Sequence, residues 1–183
     1  EFDESGNEII DGEYKSGQKW NGQFGGKNYV SGLLRQDFAE KYPNGALKSS
    51  GVLINEVKIG QWSFWYENEA IKESGFFTND IKDGEWEGYY ESGNKKFIGN
   101  FNNGKKDGNW IQWYDDTLKQ SEGSYNLGIK DGEWIEWDDK GKVIVSITYI
   151  DGEKWTGRYK EIFYLEGVEK KGVVINYPDG QVK

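Results

Sequence analysis

Carboxylates are the most abundant side chains in this sequence with a capacity for acid–base chemistry. The chain holds 32 Asp and Glu residues and neither His nor Cys, which excludes histidine bases, Cys–His or Ser–His–Asp catalysis and ordinary zinc sites. A glycosidase needs only two acids a few ångströms apart. Here the acids recur at fixed intervals instead, as at Asp83, Asp107 and Asp131, which favours turn and surface roles. We expect no enzyme activity, no cofactor and no metal site.

Aromatic rings are the other group with functional potential, because they make up 16% of the chain and recur with a 24-residue period. The first ring set follows a glycine by two residues and comprises Trp62, Trp86, Trp110 and Trp134. The second ring set lies three residues further on and comprises Trp65, Tyr89, Trp113 and Trp137. The third ring set follows directly as Tyr66, Tyr90 and Tyr114, and Asp138 then takes that position.

The elements that position these rings are predicted to be β-hairpins. Residues 84–90 are aromatic and lack helical spacing, residues 91–94 have turn composition, and residues 95–101 form a second strand before the Asn-Asn-Gly turn signal at 102–104. The fold class is therefore all-β: an elongated, single-layer, twisted antiparallel sheet of successive β-hairpins, a repeat solenoid. No stretch sustains the helical period, and residues 27–40 form either one short helical turn or a long hairpin.

Alternation along a strand assigns the rings to two faces. Trp86 and Tyr90 share one face, while Tyr89 lies on the other. We expect one ring set to pack with the in-phase rings Phe77, Phe101 and Tyr125, and the in-phase glycines, such as Gly99, to leave room for a neighbouring ring. The second ring set should then be partly exposed. Exposed Trp and Tyr are typical anchors of interfaces, so Trp65, Tyr89, Trp113 and Trp137 are the candidate binding residues.

The repeat divides the chain into three parts. Residues 1–41 are an irregular N-terminal repeat or cap, residues 42–151 are regular 24-residue hairpin repeats, and residues 152–183 are a divergent C-terminal repeat or cap. Residues 17–24 match residues 152–159, and both contain a Lys-Trp pair that the central repeats lack. Residues 177–183 echo residues 42–48, which keeps open a role as a spacer within a longer protein.

Charge narrows the class of partner. The net charge is −9 and the pI is about 4.7, so phosphate backbones and anionic membranes are repelled and nucleic acid is not an expected partner. A basic protein or a neutral ligand suits this surface better. The sequence contains no run of 18 apolar residues, so it predicts no transmembrane helix.

The compartment stays open at this point, because a Cys-free chain fits any redox environment. The chain also lacks Met, and its first residues, Glu1-Phe2, resemble the scar of a cloning site. We expect that a natural N-terminal segment is missing, with a leader among the options. A cytoplasmic and an exported location therefore both remain open.

One family resemblance rests on the whole repeat. The pattern Tyr90-x-x-Gly93-x-Lys95-x-x-x-Gly99-x-Phe101, followed by Gly104-x-x-Asp107-Gly108-x-Trp110, resembles the MORN-repeat variant (membrane occupation and recognition nexus). The resemblance covers about residues 42–160. It implies a MORN-type repeat solenoid that serves as an interaction scaffold, with no catalytic residues. Bacterial proteins built from this variant include antitoxins of the toxin–antitoxin type. Glu69, Thr117 and Asp138 depart from the pattern.

Two functions from different classes follow. The leading hypothesis is a protein-binding scaffold, antitoxin- or immunity-like, whose partner is basic. The rival is a glycan- or cell-surface-binding module in which the rings stack on sugars. Open arrays end in unpaired edge strands, so edge-to-edge self-association is a further expectation.

Overall fold

The computed structural model describes residues 12–24, 27–159 and 162–170, and all of its regular elements are β-strands. The strands are β1 (Gly12–Lys15), β2 (Gln18–Phe24), β3 (Lys27–Val30), β4 (Leu33–Lys41), β5 (Leu47–Ile54), β6 (Val57–Trp65), β7 (Ile71–Thr78), β8 (Ile81–Tyr89), β9 (Lys95–Asn102), β10 (Lys105–Trp113), β11 (Lys119–Asn126), β12 (Ile129–Trp137), β13 (Val143–Ile150), β14 (Glu153–Tyr159), β15 (Ile162–Leu165) and β16 (Val168–Lys170). The echo at residues 177–183 lies outside the described residues.

The strands follow each other through the sheet in sequence order, from β1 to β16, as the hairpin repeat predicts. Every described pairing is antiparallel, for example β5 with β6 and β10 with β11. Residues 27–40 belong to the hairpin β3–β4, so the hairpin alternative is confirmed for that segment. Two compact units divide within β8, between Trp86 and Glu87. The all-β prediction is therefore confirmed.

The turns before β7, β9 and β11 share one backbone geometry. In the turn at residues 90–94 the Gly93 N–H donates to the Tyr90 carbonyl, and Gly93 has a φ of 93°. Glu69 and Thr117 replace this glycine and adopt φ values of 68° and 74°, so the turn is kept although such values are uncommon for residues with a side chain. At Asp138 the same turn forms, and its carboxylate accepts the Lys140 and Lys142 N–H groups.

The Asp-Gly pairs at residues 83–84, 107–108 and 131–132 lie inside strands and not in turns, which corrects the sequence interpretation. Asp107 and Gly108 lie inside β10, where the register with β9 shifts between Asp107 and Trp110. Gly108 has a φ of 67° in this β-bulge, a conformation that glycine adopts without strain. Asp107 Oδ1 accepts the Leu127 N–H from the next hairpin. The pair therefore bends one strand and links two hairpins.

The core consists of tryptophans laid flat on glycines. Trp62, Trp86, Trp110 and Trp134 are 0–3% exposed. A Cβ at Gly99 would lie 2.3 Å from the Trp110 ring, and the equivalent contacts recur at each of the other three tryptophans. The Phe101 ring meets the Trp110 ring edge-on with centroids 5.1 Å apart. The first ring set is thus structural, and the predicted role of the glycines is confirmed.

The third ring set also has a structural role. The hydroxyl groups of Tyr90 and Tyr114 donate to the backbone carbonyls of Trp113 and Trp137, at 2.7 and 2.9 Å. In the first unit, Tyr42 donates to the Trp65 carbonyl in the same way, at 2.9 Å. Each bond joins the end of one hairpin to the end of the next. These tyrosines therefore fix the backbone that carries the second ring set.

Candidate functional site

Strand alternation places the second ring set on the sheet face opposite the buried tryptophans, although Trp137, at the end of β12, also borders a pocket beside Trp134. Within β10, Trp110 and Gln112 point to one side, whereas Ile111 and Trp113 point to the other, because side chains alternate along a strand. Trp65, Tyr89, Trp113 and Trp137 are all partly exposed, as expected. Trp65 belongs to the first unit, where it pairs with Ile71 of β7. The other three belong to the second unit, and we call them the ring row.

Hydrogen bonding separates the two tryptophan sets sharply. The indole Nε1–H groups of Trp110 and Trp134 donate to the carbonyls of Asn100 and Ser124, at 3.0 and 2.8 Å. In contrast, the indole N–H groups of Trp65, Trp113 and Trp137 have no acceptor among the residues that the structure describes. Buried Trp N–H groups normally find a partner, and unpaired ones are typical of rings that face water or a ligand. These three tryptophans therefore offer free donors at the surface of the second ring set.

Lysines alternate with the rings of the ring row. Lys119 of β11 is paired with Trp113, and its Nζ lies 5.8 Å from the Trp137 ring centroid. Lys95 of β9 lies 5.6 Å from the Tyr89 ring centroid. Both ammonium groups have a carboxylate partner: Lys119 contacts Glu122 at 2.6 Å, and Lys95 contacts Glu87 at 3.1 Å. The positive charges between the rings are thus balanced locally.

Tyr89 and Glu87 are coupled through their side chains. Burial raises the pKa of the Tyr89 phenol, and its hydrogen bond to Glu87 raises it further. Burial alone would raise the pKa of Glu87, but hydrogen bonds from Lys95 and Tyr89 outweigh it, so the pKa is lowered. Glu87 is consequently a carboxylate and Tyr89 a neutral phenol at neutral pH. This end of the ring row can donate and accept hydrogen bonds without a change of charge.

Apolar side chains continue this face away from the ring row. Ile98 pairs with Ile111, and Ile111 and Ile135 both pair with Glu122 across neighbouring strands. All of these side chains are partly exposed. The face therefore combines flat rings, aliphatic surface and paired charges, a composition typical of protein interfaces.

Acidic turns border the ring row. Each ring ends its strand, and the following turns contain exposed acids at Glu91, Asp115, Asp116 and Asp139. The negative charge at Asp115 adds to burial in raising the pKa of the Tyr90 phenol. Among the described residues, no lysine or arginine forms an ion pair closer than 4 Å with Asp115, Asp116 or Asp139. Glu91 does have an interaction partner. The turn that follows Trp113 therefore carries two uncompensated acids, Asp115 and Asp116, whereas Asp139 shares its turn with Lys140 and Lys142.

One feature of the opposite face is absent from the sequence interpretation. A lysine covers each buried tryptophan: the Nζ atoms of Lys82, Lys106 and Lys130 lie 3.8, 4.1 and 4.0 Å from the ring centroids of Trp86, Trp110 and Trp134. The signal for it is the repeated Lys-Asp-Gly triplet. Turn chemistry does not account for this triplet, because its aspartate and glycine lie at a β-bulge inside a strand. Strand alternation places the lysine, four residues before the tryptophan, on the tryptophan face.

No group of three carboxylates in the described part of the chain is arranged to hold a metal ion. Among residues 12–24, 27–159 and 162–170, the structure contains no helix that could span a membrane.

Comparison with known proteins agrees with the repeat architecture. The sequence model of the MORN repeat variant matches residues 82–103 and 130–151. No curated protein matches the chain. The two matched segments lie 48 residues apart, two periods of the 24-residue repeat, and each covers a hairpin, except for its first residue, together with the Asp-Gly bulge. The matches therefore support a protein built from MORN-variant repeats, a repeat-type binding scaffold.

Proposed function

We propose that this chain is a non-catalytic protein-binding scaffold whose ring row contacts a basic segment of its partner. The observation that supports this most directly is the difference between the two tryptophan sets. Trp110 and Trp134 have their indole donors satisfied within the sheet, whereas Trp113 and Trp137 present theirs at a partly exposed surface. Trp65 is the corresponding residue of the first unit.

Charge specifies the partner. Lys95 and Lys119 are neutralised by Glu87 and Glu122, so the uncompensated charge beside the rings is that of Asp115 and Asp116 in the turn after Trp113. An arginine of a partner can stack on a Trp or Tyr face, worth about 0.5–2 kcal/mol, while its guanidinium reaches a turn carboxylate. The net charge of −9 attracts a basic partner over longer range.

The test is a selection from a random peptide display library on the immobilised chain. We expect the enriched peptides to be rich in Arg and Lys and to lose binding to the double variant Trp113→Ala/Trp137→Ala. Ile129→Ala is the matched control, because Ile129 is a 52% exposed apolar residue of the same unit outside the ring row. Peptides that bind the double variant as well as the parent chain refute the proposal.

An antitoxin- or immunity-like role is the more specific form of this proposal, in which the basic partner is a toxin. The resemblance of the repeat to antitoxin families supports it. Co-expression of the chain with candidate toxins measures rescue of growth. If growth is rescued by the parent chain but not by the Trp113→Ala/Trp137→Ala variant, the role is supported. If both chains rescue growth equally, the role is contradicted.

A glycan-binding module is the second candidate, and the spacing of the ring row favours it. Trp113 and Trp137 lie two strands apart, roughly 9.6 Å at ordinary strand spacing, so flat rings recur along a line as in a sugar-stacking surface. Titration of tryptophan fluorescence against a panel of polysaccharides separates the two candidates. A saturable emission shift that depends on Trp113 supports glycan binding, and a flat response excludes it for the panel.

A further inference from the structure

A pocket of about 260 Å³ opens on the tryptophan face of the second unit. Its polar lining includes Gln112, Ser121, Tyr125, Lys130 and Glu136. Pockets for drug-sized ligands have volumes of about 300–1,000 Å³. This pocket is smaller, so it suits a single ring-sized group.

The pocket exists because Ser121 stands at the repeat position that Phe97 holds in the preceding repeat. Phe97, Gln112, Ser121, Glu136 and Val145 form one row across β9 to β13. Phe97 covers Gly88 and stacks on Trp110 with centroids 5.6 Å apart. Ser121 occupies the same repeat position 24 residues later, and the smaller side chain leaves the space open.

Several polar atoms face this space without a protein partner. Gln112 Oε1 accepts the Ser121 hydroxyl at 3.1 Å, but the Gln112 Nε2 donors have no acceptor in the described part of the chain. The Tyr125 hydroxyl likewise has no hydrogen-bond partner among the described residues, and its position in the preceding repeat is Phe101. Glu136 uses Oε1 to bind Lys130 at 3.0 Å. Donors and acceptors thus converge, as hydroxyl groups of a ligand require.

An uncompensated cation stands beside these groups. Lys82 and Lys130 each have a carboxylate partner, Glu73 and Glu136. Lys106, at the same repeat position, has no carboxylate within ion-pair distance among the residues described, and its Nζ lies 5.1 Å from the Tyr125 ring centroid. Burial lowers the pKa of Lys106, and the charge of Lys130 lowers it further. A carboxylate placed here would relieve both effects.

We propose that this pocket binds one carboxylate-bearing sugar ring. Lys106 does not itself line the pocket, but its Nζ lies 5.1 Å from the ring centroid of the lining residue Tyr125, and from there it pairs with the carboxylate of the ligand. Gln112 and Tyr125 donate to the oxygens of the ligand, and Glu136 accepts from its hydroxyls. These side chains point away from the face that carries the ring row, so the proposal does not rest on the function proposed for that face.

One residue is common to the two sites. Trp137, the last residue of β12, belongs to the ring row and also borders the pocket. Trp113 does not line the pocket, so Trp113→Ala separates the two sites. We expect this variant to leave the binding of a sugar acid unchanged while it weakens the binding of basic peptides.

The experiment is an NMR titration of the full chain with glucuronate, with glucose as the matched ligand that lacks the carboxylate. We expect glucuronate to bind at least tenfold more tightly than glucose, with shifts at the Trp134 indole signal. Lys106→Gln should remove that preference, and Tyr125→Phe should weaken the binding of glucuronate several-fold. Lys105→Gln is the control, because it removes the same charge from the exposed neighbouring residue.

Three results overturn the proposal. If glucuronate at millimolar concentration shifts no NMR signal of a pocket residue, the proposed binding site is refuted. Equal affinity for glucose and glucuronate removes the role of Lys106. An equal loss of glucuronate binding in Lys105→Gln and Lys106→Gln reduces the effect to net charge. Circular dichroism of each variant shows whether the fold is intact.

Discussion

Substitution of a glycine beneath a buried tryptophan tests the packing that defines the fold. In Gly99→Ala the new Cβ would lie 2.3 Å from Trp110 Cδ2 and 2.4 Å from Cε2. The φ of Gly99 is not in the left-handed region, so the backbone itself accepts alanine. The indole ring must therefore move. Its Nε1–H bond to the Asn100 carbonyl is then stretched from 3.0 Å.

The expected loss of stability has two contributions, the displacement of the Trp110 ring and the stretching of its indole hydrogen bond. Overpacking of a well-filled core costs about 1–3 kcal/mol. Weakening the indole hydrogen bond adds up to about 1 kcal/mol. We therefore expect Gly99→Ala to lower the free energy of unfolding by about 1–4 kcal/mol.

The assay is urea denaturation followed by tryptophan fluorescence, with the slope m compared between variants. Gly93→Thr is the matched control, because a Cβ at Gly93 would meet no atom within 4 Å and Thr117 holds the equivalent position with a φ of 74°. We expect this control to cost about 1 kcal/mol, the ordinary penalty of a left-handed conformation. A Gly99→Ala variant no less stable than Gly93→Thr would refute the packing argument.

Four further substitutions give separate expectations, each measured by urea denaturation. Trp110→Ala should lower the free energy of unfolding by about 3–5 kcal/mol, because it empties a buried site. Trp113→Ala should lower it by only about 1 kcal/mol, because the Trp113 ring is partly exposed. Equal losses would contradict the assignment of the two ring sets. Tyr114→Phe should cost about 0.5–1.5 kcal/mol through its lost bond to the Trp137 carbonyl, and no loss would show that the bond is unimportant. Burial and Lys130 lower the pKa of Lys106 below its ordinary value of 10.5, so the native state releases this proton at a lower pH than the unfolded chain. The stability of the parent chain relative to Lys106→Gln should therefore rise as the pH approaches 10.5, and a constant difference would contradict the lowered pKa.

The hairpin array could be predicted from the sequence because the same residue pattern recurs in successive repeats. Glycine two residues before tryptophan, a turn glycine and a glycine under a ring recur in phase. Strand alternation then separates Trp110 from Trp113 without knowledge of any distance. The partial exposure of the second ring set follows from a single-layer sheet, which has no second layer to cover it.

The parts that sequence did not predict depend on local backbone geometry. The φ of Gly108 creates a bulge inside β10, and this bulge brings Lys106 over Trp110. Alternation alone places Lys106 and Trp110, four residues apart, on the same face, but it does not predict the bulge that brings the two side chains together. The pocket escapes prediction for a related reason: Gln112, Ser121 and Glu136 are far apart in sequence, and only the strand register aligns them.

The most direct test of the binding proposal is an NMR titration of the indole N–H signals of the ¹⁵N-labelled chain with an arginine-rich peptide. Single Trp substitutions assign the signals of the nine tryptophans. We predict that the signals of Trp113 and Trp137 shift progressively with peptide, while those of Trp110 and Trp134 stay in place. Shifts confined to Trp110 and Trp134, or no shift at any indole, would contradict the proposal that the ring row is the binding surface.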